Sequence, residues 1–247
     1  GAGADHIINL PSFNDIKVPV IRIKDKNMAE RMCSHVHSQI LNYQLKIYSF
    51  YAAQNKKKWI GEQYTKLNCD ITIGLWGFGF LGKSVGVYLK KLNYNVIAFK
   101  KSNREKSILK IPLYTDKNLK KLVINSDIII SILPGTKETK NFINKKFLEN
   151  MKKNALLVNV GRGITLNEED LINHLHKNKN FYASLDVFNT EPLPKTSKLW
   201  KHRNITITPH VAAITDLSSA IDYIFNRYKR FKKTGTIRGD VNYRKGY

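Results

Sequence analysis

A short apolar stretch at residues 71–75 runs into GLWGFGFLG, which sets Gly77, Gly79 and Gly82 in a G-x-G-x-x-G pattern between a predicted strand and a predicted helix. Few patterns narrow a chain's choices so far. The first glycine makes a tight turn, the second lets a ligand approach the backbone, and the third lets helix and strand pack closely. A pyrophosphate can then rest on the unpaired N–H groups that open the helix. The pattern alone is weak, but the chain beyond it supplies the context. NVIAF, DIIISIL, ALLVNV, FYASLDVF and NITITP alternate with the amphipathic segments KKLVINS, KKFLENM and NEEDLINHL. That rhythm predicts an α/β fold, a Rossmann-type doubly wound parallel sheet with helices on both faces.

In such a unit an acid beyond the second strand takes the ribose hydroxyls of NAD, whereas a cation there accommodates the 2′-phosphate of NADP. Here NVIAF runs into Lys100, Lys101, Ser102, Asn103 and Arg104, and no acid comes before Glu105. The expected cofactor is therefore NADP(H), with NAD(H) as the second choice.

Three polar residues close later apolar runs. Arg162 follows LLVNVG, Glu191 follows SLDVFNT and His210 follows NITITP. Parallel strands would deliver all three to one sheet edge, the edge where open α/β sheets bind ligands. An Arg can hold a carboxylate and polarise a neighbouring carbonyl. A protonated His can donate to that carbonyl oxygen while hydride reaches carbon, and a Glu paired with the His favours the imidazolium. Together they point to chemistry on a small 2-oxo acid.

The chain has 247 residues, 42% of them hydrophobic, enough for one large domain or two small ones. Its 42 Lys and Arg against 19 Asp and Glu give a net charge of +23. The lysines are scattered rather than striped, so neither nucleic acid nor a membrane surface is expected as a partner; the densest groups, at 56–58 and 227–233, read as solvated faces. Cys33 and Cys69 are too few for a disulfide framework, and His35 and His37, two apart on a predicted helix, make a poor metal pair, so no metal is expected. No apolar run is long enough to span a bilayer, and a reducing cytoplasm is the expected setting. Residues 28–53 carry apolar side chains at three-to-four spacing and predict one long helix at a domain junction; 216–233 predict a terminal helix.

The segments GAGADHI, GLWGFGFLG, SILPGTKET, NVGRG, DVFNTEPLP and TPHVAA, in this order across essentially the whole chain, resemble the D-2-hydroxyacid dehydrogenase family. Within it, DVFNTEPLP, TSKLW, ITITPHVAAIT and the closing GY look most like the NADPH-dependent glyoxylate/hydroxypyruvate reductase A subgroup. The resemblance implies that Arg162, Glu191 and His210 are catalytic, with His210 as acid and base. It implies that Ala2 and Gly3, with Arg162, grip the substrate carboxylate. Along the cofactor it places Gly77, Gly79, Phe80, Leu81, Gly82, Lys100, Lys101, Ser102, Arg104, Leu133, Pro134, Thr139, Val160 and Gly161. Asp186 and Asn159 sit in family motifs, each either as a structural residue or as support for the nicotinamide.

The family inserts its cofactor domain into a flavodoxin-like substrate domain built from both chain ends, and it forms homodimers. By that likeness residues 46–210 are the dinucleotide-binding domain, 1–45 the remainder of the substrate domain with the start of a linking helix, and 211–247 a helix and tail returning to it. The family's first stretch, most of the substrate domain, has no counterpart, so the chain is expected to be an N-terminally truncated piece of a full enzyme. Other readings stay open: a phosphoglycerate or D-lactate type dehydrogenase, a corepressor-like dinucleotide-binding module without turnover, or a degraded remnant.

Overall fold

The strands alternate in which face each side chain takes, and that alternation builds two cores around one sheet. The computed structural model describes residues 3, 4, 7, 10, 18–101 and 109–242. Seven parallel strands, β1 (Thr72–Trp76), β2 (Asn95–Phe99), β3 (Leu113–Tyr114), β4 (Ile128–Ser131), β5 (Leu156–Asn159), β6 (Tyr182–Leu185) and β7 (Ile205–Ile207), lie in the order β3-β2-β1-β4-β5-β6-β7. The chain thus starts in the middle, winds to one edge, returns and winds to the other. β4 and β5 are buried along their whole length, as strands covered on both faces must be.

On one face Ile73, Leu75, Ile128, Ile130, Leu156 and Val158 pack with Met32, Val36 and Ile40 of α1 (Lys26–Gln44) and with Val85 and Leu89 of α3 (Phe80–Lys91). On the other, Trp76, Ile129 and Leu157 pack with Leu122 and Val123 of α4 (Leu119–Asn125), Phe147 and Leu148 of α5 (Lys145–Glu149), and Leu171 and Leu175 of α6 (Glu168–Lys177). A last helix, α7 (Leu217–Thr234), is capped by the Asp216 carboxylate, which accepts from Ser219 N–H at 3.0 Å. Among the described residues no helix is long and apolar enough to cross a membrane.

The strand positions agree with the sequence pattern to within three residues, except that β3, only two residues long, carries no recognisable alternation. The single helix predicted over 28–53 is corrected to two. α1 ends at Gln44, Lys46 takes a left-handed conformation (φ 56°), and α2 (Ile47–Asn55) follows. Gln44 explains the stop: its amide donates to the Lys66 carbonyl at 2.8 Å and to Asn68 Oδ1 at 2.9 Å, while its oxygen accepts from Tyr94 at 2.8 Å. Those tertiary bonds hold the helix end against the sheet while the chain turns outward. α1 buries Met28, Ala29, Met32, Cys33, Val36, Gln39 and Ile40, several of them in the core on one face of the sheet.

At the N-terminal edge of the sheet, Asp127 ties three segments together. Its carboxylate accepts from Thr72 N–H at 2.9 Å, Lys66 Nζ at 2.9 Å and Lys152 Nζ at 3.0 Å. Burial pushes this carboxyl up, but the Thr72 amide and the two ammonium groups outweigh it and hold it below the ordinary aspartate range. A carboxyl lowered on folding stabilises the fold above its unfolded-state value, about pH 3.9, and loses that contribution as pH falls through its folded-state value. Asp127→Asn is therefore expected to destabilise the protein at pH 7 by about 1–3 kcal/mol, with the gap from wild type closing as pH drops below about 4. Urea unfolding of both proteins at pH 7 and pH 3 checks this.

Candidate active site

Each strand's C-terminal end releases its loop on the same edge, and the residues singled out above gather there. After β1, Gly77 adopts φ 102°, and a side chain on it would meet the Ile132 carbonyl oxygen at 2.7 Å. Gly82, in the first turn of α3, faces the Gly77 carbonyl so closely that a Cβ would lie 2.0 Å from its oxygen. Turn, strand and helix are thus locked backbone to backbone. A Cβ on Gly79 would meet nothing within 4 Å, and no side chain caps the helix start there. The space that the second glycine keeps clear is open from outside, in front of helix N–H groups, which fits a pyrophosphate.

Around this loop, Phe80 and Leu81 open α3, with Phe80 more exposed, and Leu81 packs on the core. The loop beyond β4 starts at buried Leu133 and is stapled by Thr139, whose hydroxyl donates to the Pro134 carbonyl at 2.6 Å and accepts from Thr136 N–H at 2.9 Å. Beyond β5, Val160 N–H donates to the Ser131 carbonyl at 3.1 Å, and Gly161 lies against the Leu133 backbone. From β2 the chain continues through Lys100, whose N–H donates to the Tyr114 carbonyl at 2.9 Å, to Lys101, whose ammonium pairs with Glu138 at 2.7 Å. Ala2, Ser102 and Arg104 lie outside the described residues. Gly3, half-buried beside Ala4, is not among the residues lining the cavity described next.

Arg162, Glu191 and His210 come together at the ends of β5, β6 and β7. With Gly135, Gly163, Ile164, Phe188 and Asn189 they line an open cavity of about 330 Å³. His210 Nδ1 lies 2.7 Å from Glu191 Oε2, and Glu191 Oε1 accepts from Phe188 N–H at 2.9 Å. A carboxylate can only accept, so Nδ1 carries the proton of this bond and Nε2 is left for the cavity. Arg162 Nη1 donates to the Gly161 carbonyl at 2.8 Å, and its own carbonyl accepts from Thr165 Oγ1 at 2.7 Å. A larger cavity of about 440 Å³ lies at the opposite edge, between Tyr43, Tyr48, Tyr64, Tyr182 and Asp127, and no imidazole lines it.

His210 is held in a left-handed conformation (φ 55°) that costs a non-glycine residue about 1–3 kcal/mol. Asp186 maintains it. Its carbonyl accepts from His210 N–H at 2.8 Å, and its buried carboxylate accepts from Thr208 Oγ1 at 2.6 Å and from Val211 and Ala212 N–H, both at 2.9 Å. Of the two roles open to Asp186, these contacts describe the structural one. Asn189 was not singled out from the sequence. Its N–H donates to Glu168 Oε1 at 2.8 Å, bracing the turn that carries Glu191, and no spacing in DVFNTEP distinguishes it.

The model of the D-isomer specific 2-hydroxyacid dehydrogenase NAD binding domain matches residues 37–212. Among solved structures, a D-isomer specific 2-hydroxyacid dehydrogenase from Xanthobacter autotrophicus Py2 in complex with NADPH and MES is 29% identical, with all of both chains covered and a TM-score of 0.92. An NADPH-dependent glyoxylate/hydroxypyruvate reductase from Sinorhizobium meliloti, in complex with NADP and sulfate, is 28% identical over all of this chain and 78% of that one, with a TM-score of 0.93. A D-isomer specific 2-hydroxyacid dehydrogenase family protein from Klebsiella pneumoniae 342 is 26% identical over 99% of this chain and 77% of that one, with a TM-score of 0.88. With a glycine loop and an acid–imidazole pair on one sheet edge, and a family model covering most of its length, the chain belongs to the D-isomer specific 2-hydroxyacid dehydrogenase family.

Proposed function

We propose that the protein reduces small 2-oxo acids to D-2-hydroxy acids with NADPH, converting glyoxylate to glycolate and hydroxypyruvate to D-glycerate. The observation that carries this reading is the 2.7 Å contact between Glu191 and His210 in a cavity that Arg162 also lines. The Sinorhizobium reductase supports the choice of substrates and of NADPH, and the two lysines beyond β2 support the cofactor.

NADPH, when bound in the crevice along the 77–82 loop, supplies the hydride. The Arg162 guanidinium binds the carboxylate of the oxo acid and draws electron density from its carbonyl. His210, protonated, gives the Nε2 proton to the carbonyl oxygen, so the carbon gains hydride, the oxygen gains a proton and the imidazole is left neutral. Glu191 keeps the ring oriented through Nδ1, with Nε2 turned to the substrate. Asp186 positions His210 by fixing the backbone on either side of it. Gly3 would help Arg162 grip the substrate carboxylate, as the resemblance implies.

The protein is also proposed to be a cytoplasmic homodimer. Trp59, Tyr64, Leu67 and Tyr51, on α2 and the segment after it, are all strongly exposed, and exposed apolar side chains of this size are what a second copy covers.

Cofactor consumption with each oxo acid tests the enzymatic reading. NADPH should give a higher kcat/KM than NADH, and equal or better use of NADH would overturn the cofactor assignment. His210→Ala is expected to lower kcat by about 10²–10⁴-fold while NADPH binding persists. Arg162→Lys, which loses a forked charged hydrogen bond worth about 1.5–3 kcal/mol, is expected to raise KM about 10- to 100-fold. Light scattering should return twice the chain mass, and Trp59→Asp should shift it toward one copy; a monomeric wild type would sink the dimer.

A further inference from the structure

The Lys101–Glu138 ion pair joins the segment after β2 to the loop after β4. Lys101 follows β2 and Glu138 belongs to the loop after β4, yet β2 and β4 are not neighbours: β1 runs between them. Adjacent strands are about 4.8 Å apart, so the two ends are separated by about 10 Å. The gap between them is where the 77–82 loop emerges. Lys101 Nζ and Glu138 Oε2 meet at 2.7 Å, so their side chains join the segments that follow β2 and β4, on either side of the one that follows β1. Both are more than half exposed, and an exposed pair is held weakly enough to exchange partners.

We infer that Lys101 and Glu138 form an ionic strap beyond the end of β2 that exchanges partners when a dinucleotide bearing a 2′-phosphate binds, Lys101 passing from the carboxylate to the phosphate. The inference rests on the NADPH reading above and assigns Glu138 a part in it. A phosphate carries more charge than a carboxylate and offers three acceptor oxygens, so the exchange favours the phosphorylated ligand. A dinucleotide ending in plain ribose hydroxyls gives Lys101 no comparable partner, and the strap stays with Glu138. Glu138 thereby weakens binding of the 2′-phosphorylated cofactor by competing for its cation, and it is a specificity-determining residue that touches neither the hydride nor the oxo acid.

Fluorescence titration of NADPH and NADH against wild type, Glu138→Gln, Lys101→Ala and the double variant decides this without any need for turnover. Glu138→Gln is expected to tighten NADPH about 2- to 5-fold and leave NADH unchanged. Lys101→Ala is expected to weaken NADPH about 10-fold, and in the double variant the gain from Glu138→Gln should vanish. A Glu138→Gln variant that alters neither cofactor, alters both equally, or keeps its gain without Lys101 overturns the strap while the wild-type preference for NADPH stands. A wild type that shows no such preference overturns the cofactor reading, and the strap with it. Matching far-UV spectra and melting curves exclude a folding effect in these exposed variants.

Discussion

Parallel strands can be joined only by crossings that return the chain to the same starting edge, and everything functional here follows from that constraint. It brings every strand's C-terminal end to one side. Residues as far apart in sequence as Gly77 and His210 then share a single rim, with no long-range contact needed to recruit them individually. The reversal of winding at β1 and β4 opens a crevice between loops that diverge to opposite faces, and the glycine loop occupies it. The same edge logic places Asp127, a tether between chain segments, at the other side of the sheet.

Within that rim, a set of polar bonds fixes the position of His210. Asp186 holds the His210 backbone from inside, and Glu191 holds its ring from outside while itself gripping Phe188 N–H. A backbone conformation unfavourable to His persists because four bonds from one aspartate residue over-determine it. The site is therefore shaped before any ligand arrives, which suits proton transfer at a defined nitrogen. By contrast, the Lys101–Glu138 contact is an exposed ion pair, held less firmly than the bonds around His210.

The regular strands were legible in the sequence because buried parallel strands are nearly continuous apolar runs: 128–131 and 156–159 could hardly be anything else. The trio was legible for a related reason, since a charged residue just beyond such a run must emerge at the strand's end. The break between α1 and α2 was not. Periodicity continues past Gln44, and what stops the helix is a set of bonds to Lys66, Asn68 and Tyr94, distant in the chain. β3 was missed because two residues are too few to show a period.

Local chemistry by itself determined the glycine turn, the alternation of strand and helix, and the identities of Arg162, Glu191 and His210, because each depends on residue type and short spacing. Only the tertiary structure decided which nitrogen of His210 is bonded, that Asp186 turns inward to anchor its loop, and that Glu138 reaches Lys101 across β1. Those facts depend on strand order. Strand order is set by how two faces of one sheet bury their apolar side chains, a property of the whole chain that no window of sequence contains.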